Sequence, residues 1–393
     1  MKTSSRLLAA LGFLLVAVSF FPACTLLRLK SETEFLNHVS EIAGAVEAPA
    51  FSGKPIVVVL LSINPAKPDQ GQAVAGRVVL QRPGAFRFFA EPGSYHIGAF
   101  EDLNENVSFQ SDEPVGWHGD PDVITVAGGR NITGIRAVLR PPEQARREFP
   151  RLYEPVTADV TDLTKRFRLG EVTGLDNNPL FAADNRSMGL WEPLRFLNSQ
   201  YSGLYFLEPY VPEKIPVLFI HGAGGNPTGW SDIIQSLDRR YFQPWVLFYP
   251  SGLRLEIIRQ AVSNALTTLQ VRYKFDRLYL VAHSMGGLVA GGVINGQTET
   301  GNSDYLRLLI TLSTPWGGAE MAAKGVSQSP VVIPCWYDMV PGSPYQEAIF
   351  SRPFPPALEY HLLFSYRGGF NVMLGGNTDG TVSLRRQLLI PHD

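Results

Sequence analysis

The sequence has few cysteines, little net charge, and no evident internal repeat or low-complexity tract. Its two cysteines, Cys24 and Cys335, support neither a disulfide framework nor a cysteine-based metal cluster. Lysine plus arginine (34) and aspartate plus glutamate (36) nearly cancel, so the dense basic surface that nucleic acids require is missing. We therefore expect no nucleic-acid partner, and no motif predicts a cofactor. The remaining composition, 45% hydrophobic and 18% charged, is typical of a chain that buries a core.

Long apolar runs are also rare, and only the N-terminus has one. Residues 7–21 are almost wholly apolar and follow Lys2 and Arg6, which is typical of an export signal and short for a membrane span. Residues 21–24 (Phe-Pro-Ala-Cys) resemble the lipobox of bacterial lipoproteins, with Phe21 where leucine is usual. The resemblance implies a signal peptide over 1–23 and a lipidated Cys24 that holds the chain at the membrane of the bacterial cell envelope, facing the periplasm or the exterior. A plain secretory signal and a retained helical anchor are the alternatives.

The segment after Cys24 changes character near residue 50. Within 24–50, Ser31 and Glu34 suggest a capping box, and Val39, Ile42 and Val46 continue at helical spacing, which predicts a short helix. From 51 to 140, short β-rich runs alternate with proline and glycine turns, which predicts a small all-β sandwich domain. The predicted strands are 56–63, 74–80, 85–90, 95–100, 123–126 and 132–139. Residues 141–203 begin with a proline-led, charged stretch and are interpreted as a linker and an irregular or cap segment.

One loop of the predicted sandwich partly matches a calcium-binding pattern. Asp102, Asn104, Asn106 and Glu113 stand at positions 1, 3, 5 and 12 of such a loop. Val107 occupies the position where glycine makes the sharp turn, and no helical pattern flanks the loop. The sequence therefore favours a polar loop with Asx turns, with calcium as the alternative, and we assign no metal ligand.

From residue 204 the pattern changes to alternating strands and helices. A predicted edge strand at 204–207 precedes apolar runs of the kind buried on both faces of a parallel sheet, at 217–220, 246–249, 278–282, 306–312 and 361–366. Between the second and third of these runs, one helical face carries Leu255, Ile258, Val262, Leu266 and Leu269. Residues 204–393 are thus predicted to form an α/β domain with a doubly wound, mostly parallel sheet. Its chemistry is expected at the carboxyl ends of the strands.

The run at 278–282 leads into Ala-His-Ser-Met-Gly at residues 282–286. A sharp strand-to-helix turn lifts a serine hydroxyl out of a sheet only if its neighbours are small, as Ala282 and Gly286 are. Here the chain resembles the α/β-hydrolase superfamily, most closely bacterial lipases and esterases whose elbow reads Ala-x-Ser-x-Gly. The resemblance implies that Ser284 is the nucleophile. His283 is expected to belong to the turn, because adjacent residues on such an elbow point apart.

A second motif, His-Gly-Ala-Gly-Gly at 221–225, directly follows an apolar run and looks like the oxyanion loop of the same lipases. Acyl transfer develops negative charge on oxygen, and preorganised backbone amides stabilise it. The resemblance implies that the amides of Ala223 and Met285 are the donors and that His221 supports the loop through its ring nitrogens. A tight turn without a donor role is the alternative.

The fold places the acid and the base after the serine, in that order. Residues 376–382 resemble the acid loop of these lipases and give Asp379 as the acid. Asp338 is the rival, or else a helix cap or a loop residue near the substrate entrance. Of the seven histidines, only His392 follows a late apolar run, predicted as a strand at 388–390. The interval from Asp379 to His392 is short for the family, so an incomplete chain, a degenerate site or another base are the alternatives.

Residues 313–318 (Ser-Thr-Pro-Trp-Gly-Gly) also occur at the rim of the site in lipase-like relatives. With Trp230, Trp336 and Tyr337 they either line an acyl pocket or pack as core and rim. The motifs together predict a serine hydrolase that cleaves carboxylic esters with an apolar acyl group. A catalytically inert surface binding or adhesion protein that uses its β-domain, and an acyltransferase on the same fold, are the alternatives.

Overall fold

The computed structural model describes residues 23–63, 72–119, 122–145, 152–153, 163, 167–368 and 376–389. Nearly all of the predicted signal peptide, and the predicted base His392, lie outside the described residues. Among the residues that are described, no helix combines the length and the apolar character needed to cross a bilayer.

The N-terminal part consists of one helix and a series of strands. Their bounds are α1 (Ala23–Leu36), β1 (Ser40–Glu47), β2 (Ile56–Ser62), β3 (Gln72–Leu80), β4 (Gly84–Ala90), β5 (Gly93–Glu101), β6 (Val115–Trp117), β7 (Ile124–Val126), β8 (Ile132–Val138) and β9 (Leu152–Tyr153).

The C-terminal part alternates strands and helices. Its elements are β10 (Arg168–Val172), α2 (Ala183–Trp191), α3 (Pro193–Asn198), β11 (Gly203–Phe206), β12 (Ile215–Ile220), α4 (Ser231–Gln235), β13 (Phe242–Phe248), α5 (Leu255–Tyr273), β14 (Leu278–His283), α6 (Met285–Glu299), β15 (Leu306–Leu312), α7 (Glu320–Gln328), α8 (Pro334–Met339), α9 (Pro344–Phe350), β16 (Glu359–Leu363) and α10 (Leu384–Gln387).

Strands β1 to β9 form two sheets. One has the order β4-β1-β8, and the other has the order β6-β5-β2-β3-β9, with β7 paired to β5. Ile42 and Phe88 of the first sheet share a buried cluster with Val58 and Ile97 of the second, so the sheets pack face to face. The other face of the second sheet buries Val57, Val59 and Leu61 in a cluster that includes Val271 of α5.

The prediction of a helix through Val46 is wrong. The helix ends at Leu36, and residues 40–47 form β1, which pairs in parallel with β8 and antiparallel with β4. Ser31 and Glu34 lie inside α1, so they do not form an N-terminal capping box there. Ile42 and Val46 are buried because they share one face of the strand, and their spacing of four residues fits a strand as well as a helix.

The C-terminal strands form one mixed, mostly parallel sheet with the order β10-β11-β13-β12-β14-β15-β16. Strands β12 to β16 run parallel to one another, whereas β11 is antiparallel to β13. The strand predicted at 204–207 is present as β11, but its predicted place at the edge is wrong, because β10 pairs with β11 on its outer side. The segment interpreted as linker thus supplies one strand of the sheet and the helices α2 and α3.

Helices α5 and α6 cover one face of this sheet. Leu218 and Ile220 of β12 belong to the large cluster packed against these helices. Val217 and Phe219 point to the other face, where Trp230 belongs to the same cluster as they do. This alternation explains why β12 is a continuous apolar run in the sequence. Because β12 to β16 are parallel, their carboxyl ends lie along one edge of the sheet.

Candidate active site

Ser284 lies at the turn between β14 and α6, with φ 52° and ψ −127°. Non-glycine residues rarely adopt this conformation, which costs about 1–3 kcal/mol and is held only where the surroundings enforce it. Two hydrogen bonds hold the turn: the Ser284 amide donates to the Leu312 carbonyl (2.8 Å), and the Gly287 amide donates to the Ser284 carbonyl (2.9 Å). Among the described residues, the Ser284 hydroxyl has no hydrogen-bond partner.

Two glycines let the loop at 221–225 approach this turn. A Cβ atom on Gly222 would lie 2.9 Å from the Ser284 Cβ, and one on Gly286 would lie 2.5 Å from the His221 carbonyl oxygen. Any larger side chain at either position would push the two segments apart. The sequence places small residues there because β12 and β14 are adjacent and their loops meet at the same edge.

The amides predicted as oxyanion donors lie in these two segments. Ala223 is in the loop after β12, and Met285 is the first residue of α6. Neither amide has a hydrogen-bond acceptor in the part of the chain that the structure describes. The N-terminus of a helix also favours negative charge, through its free N–H groups and its dipole. The arrangement can therefore hold an anionic oxygen beside Ser284.

Tyr249 and Ser251, which the sequence did not single out, support the loop from the end of β13. The Tyr249 hydroxyl donates to the His221 carbonyl (2.6 Å), and the Ser251 hydroxyl accepts from the Gly224 amide (2.9 Å). The rings of His221 and Tyr249 stack with centroids 4.3 Å apart and an interplanar angle of 11°. His221 therefore has its backbone and its ring fixed by the same tyrosine.

Burial lowers the pKa of His221 to about 4, so its imidazole is neutral near pH 7. Its Nδ1 lies 2.8 Å from the Gly222 carbonyl and donates to it. One of its two ring nitrogens therefore contacts the loop. The buried Nε2 has no partner among the described residues.

Asp379 lies in the loop after β16 and is fixed on both carboxylate oxygens. Its Oδ1 accepts from the amides of Thr381 (2.7 Å) and Val382 (2.8 Å). Its Oδ2 faces the Ser365 hydroxyl (3.5 Å) and Gln387 Nε2 (3.4 Å). Because Oδ1 is occupied by the turn, Oδ2 is the oxygen that can orient an imidazole.

The negative charge of Asp379 interacts with His283, the residue next to Ser284. Burial lowers the pKa of His283, and the negative charge of Asp379 opposes that shift. The His283 ring also stands edge-on to Trp230, with centroids 6.5 Å apart. The structure thus brings Asp379, the elbow and the loop at 221–225 to one edge of the sheet.

Gln387 and Ser365 hold the acid loop to the end of β16. The buried Gln387 amide accepts from the Ser365 amide (3.0 Å) and donates to the carbonyls of Ser365 (3.1 Å) and Val382 (3.3 Å). The Ser365 hydroxyl also bonds the Ser313 hydroxyl at 2.7 Å. The local sequence carries no signal for the contacts of Ser365 with Gln387 and with Ser313, because these residues are distant along the chain.

The predicted base is the residue for which the structure adds least. His392 lies outside the described residues, so its role as the base stays a prediction. The strand predicted at 388–390 is wrong at its described positions, because Leu388 and Leu389 follow the short helix α10 without pairing.

Asp338, the rival acid, binds elsewhere. Its buried carboxylate accepts from the Arg254 guanidinium, with a shortest distance of 2.7 Å, and from the Leu255 amide at 2.6 Å. Burial raises the pKa of Asp338, and the ion pair with Arg254 opposes that shift. Asp338 therefore caps the N-terminus of α5, which was one of the alternatives for it.

The aromatic residues near the site mostly pack inside the protein. Trp316 is fully buried and contacts Phe354 and Tyr360 edge-on. Trp230 packs on Phe219. Tyr337 is exposed beneath the Arg254 guanidinium. These contacts favour the core and rim interpretation over an acyl pocket for Trp316 and Trp230.

The calcium-like loop is held by its own hydrogen bonds. Both Asp102 oxygens accept backbone amides, from Asn106 (3.0 Å) and Val107 (2.7 Å). The Asn104 side chain accepts from the Asn106 amide at 3.2 Å, and the Glu113 carboxylate accepts two further amides of the loop. Val107 itself adopts φ 61° at the position expected for glycine. Within the described part of the chain, no three acidic, histidine or cysteine side chains are arranged to hold a metal ion.

No protein-family model and no curated protein matches the chain. Among solved structures, the chain is similar to the mature lipase BlEst2 of Bacillus licheniformis, with 18% identity, 48% of this chain and 86% of that chain covered, and a TM-score of 0.38. It is also similar to phospholipase PlaB of Legionella pneumophila, with 15% identity, 44% of this chain and 45% of that chain covered, and a TM-score of 0.35. A third similar structure is the 2-hydroxy-6-oxo-6-phenylhexa-2,4-dienoate hydrolase of Rhodococcus sp. strain RHA1. Its identity is 17%, 28% of this chain and 42% of that chain are covered, and the TM-score is 0.23.

Proposed function

We propose that the chain is a serine hydrolase of the α/β-hydrolase type that cleaves carboxylic esters through an acyl-enzyme on Ser284. One observation carries the proposal: Ser284 has positive φ at a strand-to-helix turn, and Gly222 packs directly against it. Strained backbone of this kind is often found at catalytic turns, and here it holds the residue between the two amides proposed as oxyanion donors.

The proposed reaction has two halves. Ser284 Oγ attacks the ester carbonyl while His392 takes its proton, and the amides of Ala223 and Met285 hold the oxyanion. The imidazolium then gives that proton to the leaving alcohol. Water attacks the acyl-enzyme with the same histidine as base, which releases the acid and restores Ser284. Asp379 orients the imidazole through Oδ2, the oxygen that the turn leaves available.

We further propose that the chain is a lipoprotein of the bacterial cell envelope. Cys24 would carry the acyl chains, and each buried methylene contributes about 0.8 kcal/mol to membrane binding, so several chains on one residue hold a protein durably. Cys24 belongs to the first turn of α1, so a lipidated N-terminus would pass directly into a folded helix.

Hydrolysis of a short-chain nitrophenyl ester tests the proposed reaction. Ser284→Ala should lower kcat on the order of 10⁶-fold, to the background rate. Ser236→Ala is the matched control, because that exposed hydroxyl bonds only a carbonyl of its own helix, and it should retain wild-type turnover. Turnover that survives Ser284→Ala would remove the mechanism. An inactive wild-type protein would favour an inert surface protein.

A further inference from the structure

The carboxyl edge of the seven-stranded sheet carries three features in a row. Ser284 follows β14, which is the central strand of the run β13-β12-β14-β15-β16. The helix α1 is joined to the β13 end of this run, and exposed apolar side chains lie at the β16 end. Neighbouring strands are about 4.8 Å apart, so the four spacings from β13 to β16 put the two ends about 19 Å apart.

The link to α1 runs through α2 and α3. Leu29 of α1 is fully buried in the cluster that contains Leu194 and Leu253. The Glu32 carboxylate accepts from the amides of Leu194 (2.8 Å) and Arg195 (3.1 Å), which caps α3. These contacts fix α1 to the C-terminal part of the protein, although the strands of the N-terminal sheets follow it in the chain.

The same helices touch the loops around Ser284. A Cβ atom on Gly252, after β13, would lie 2.2 Å from the Leu190 carbonyl oxygen, and one on Gly224 would lie 3.3 Å from the Leu190 side chain. Arg28 pairs with Glu192 between α2 and α3 at 3.2 Å. Cys24 precedes Arg28 by about one helical turn. The predicted lipid attachment is therefore next to the helices that cover this edge.

The opposite end of the edge exposes a group of large apolar side chains, here called the apolar rim. Its members lie at the end of β16 or shortly after β16 and α10, and are Leu363 (52% exposed), Phe364 (48%), Tyr366 (59%), Leu388 (44%) and Leu389 (44%). The Phe364 and Tyr366 rings stack with centroids 6.4 Å apart, and adjoining exposed apolar side chains often mark an interaction surface. The exposed side chains of Arg367 and Arg385 stand beside them. Aromatic and basic residues together suit the headgroup region of an anionic bilayer.

We propose that the carboxyl edge lies against the bilayer that holds the lipidated Cys24, with the apolar rim inserted in its surface, and that the ester substrate is an acyl lipid of that bilayer. The substrate class rests on the proposed hydrolase function, whereas the orientation rests on the anchor, on α1 and on the rim. An anchor at one end of the edge keeps the rim at high local concentration near the surface. Ser284, between the two ends, then faces the lipid.

Site-specific labelling tests the orientation. The lipidated full chain is placed in vesicles of phosphatidylethanolamine and phosphatidylglycerol, with a polarity-sensitive dye on Phe364→Cys or on Tyr241→Cys. Tyr241 is 59% exposed and precedes β13, so it marks the opposite edge of the sheet. Cys335 is buried, which keeps the label on the introduced cysteine. The dye at 364 should shift to shorter wavelength and be quenched by brominated acyl chains, and the dye at 241 should do neither.

The orientation is overturned if the dye at 364 stays in water, if both dyes behave alike, or if the full chain does not associate with vesicles. If the emission of the dye at residue 364 moves to shorter wavelength without vesicles, the apolar rim mediates self-association, and the proposal is also overturned.

A kinetic comparison tests the substrate class. The paired substitutions Phe364→Ser and Tyr366→Ser should lower the ratio of vesicle-lipid hydrolysis to nitrophenyl-ester hydrolysis at least tenfold. The matched pair is Val172→Ser and Tyr241→Ser, two exposed apolar residues at the opposite edge, which should leave the ratio unchanged. Equal effects of the two pairs would contradict the substrate assignment. If the dye at residue 364 enters the bilayer but neither substrate is hydrolysed in a Ser284-dependent way, the proposed hydrolase function is wrong. The proposed orientation would still hold in that case.

Discussion

The Tyr249 hydroxyl donates a 2.6 Å hydrogen bond to the His221 carbonyl, and the His221 imidazole lies flat against the same tyrosine ring. The two residues follow neighbouring parallel strands, β12 and β13. Both are fully buried or nearly so, which makes the contact stronger than a similar one at the surface. The loop that carries the candidate oxyanion donor is therefore fixed before any substrate arrives.

Tyr249→Phe should loosen this loop and lower kcat. The His221 carbonyl would lose its buried donor, which costs about 1–3 kcal/mol of stability. The loss of one oxyanion donor costs on the order of 10² to 10³ in rate, and a displaced donor should cost less, about tenfold. Esterase kinetics should show the change in kcat rather than in KM. Tyr210→Phe, which removes a long 3.4 Å hydrogen bond far from the loop, is the control.

Asp379→Asn should leave the fold intact and lower kcat by about 10³- to 10⁴-fold, because an amide cannot hold the base in the required tautomer. The side-chain oxygen can still accept from the Thr381 and Val382 amides, so the thermal unfolding midpoint should stay near that of the wild type. Asp276→Asn is the control, because its side chain is 87% exposed. If Asp379→Asn retains more than about a tenth of wild-type kcat, the acid is another residue.

Asp338→Asn should lower stability and leave catalysis nearly unchanged, which is the reverse of the result expected for Asp379→Asn. It weakens the ion pair with the Arg254 guanidinium and the cap on α5, so the free energy of unfolding should fall by about 1–3 kcal/mol. Esterase turnover at 25 °C should stay within a few-fold of the wild type. Asp184→Asn, an exposed acid in the first turn of α2, should change neither quantity. A large loss of kcat with normal stability would restore Asp338 as the catalytic acid.

The buried His221 makes stability depend on pH. Its pKa is about 4 in the folded protein and 6.5 when unfolded, so between these values the unfolded chain binds a proton that the folded chain does not. Stability is therefore complete above pH 6.5 and falls as pH decreases towards 4, by roughly 3 kcal/mol for this group at 1.36 kcal/mol per pKa unit. Urea unfolding at pH 7 and pH 4.5 should show this loss, and His221→Phe should remove that part of it. An equal loss in both proteins would mean that His221 is protonated in the folded state.

The sheet could be predicted from the sequence because its strands are buried on both faces. Runs such as 217–220 and 246–249 are continuous and apolar, and proline stands beside each, at Pro216 and at Pro250. Strand β1 could not be recognised, since Ile42 and Val46 are four residues apart and share a face in a helix and in a strand alike. Only pairing with β4 and β8 decides between the two.

Some residues of the candidate site could likewise be predicted from the sequence, and others could not. Ser284 and Gly222 were marked by local sequence, because a tight turn and a close backbone approach need small residues at fixed positions. Tyr249, Ser251 and Gln387 were not marked, since their roles depend on hydrogen bonds between loops that only the folded sheet brings together.

Covalent labelling tests the central claim most directly. A fluorophosphonate should add once to the wild-type protein, and peptide mass spectrometry should find the adduct on Ser284, with ester turnover lost in proportion to labelling. Ser284→Ala should gain no adduct. Turnover by a protein that gains no adduct at Ser284, or an adduct on another residue, would contradict the account.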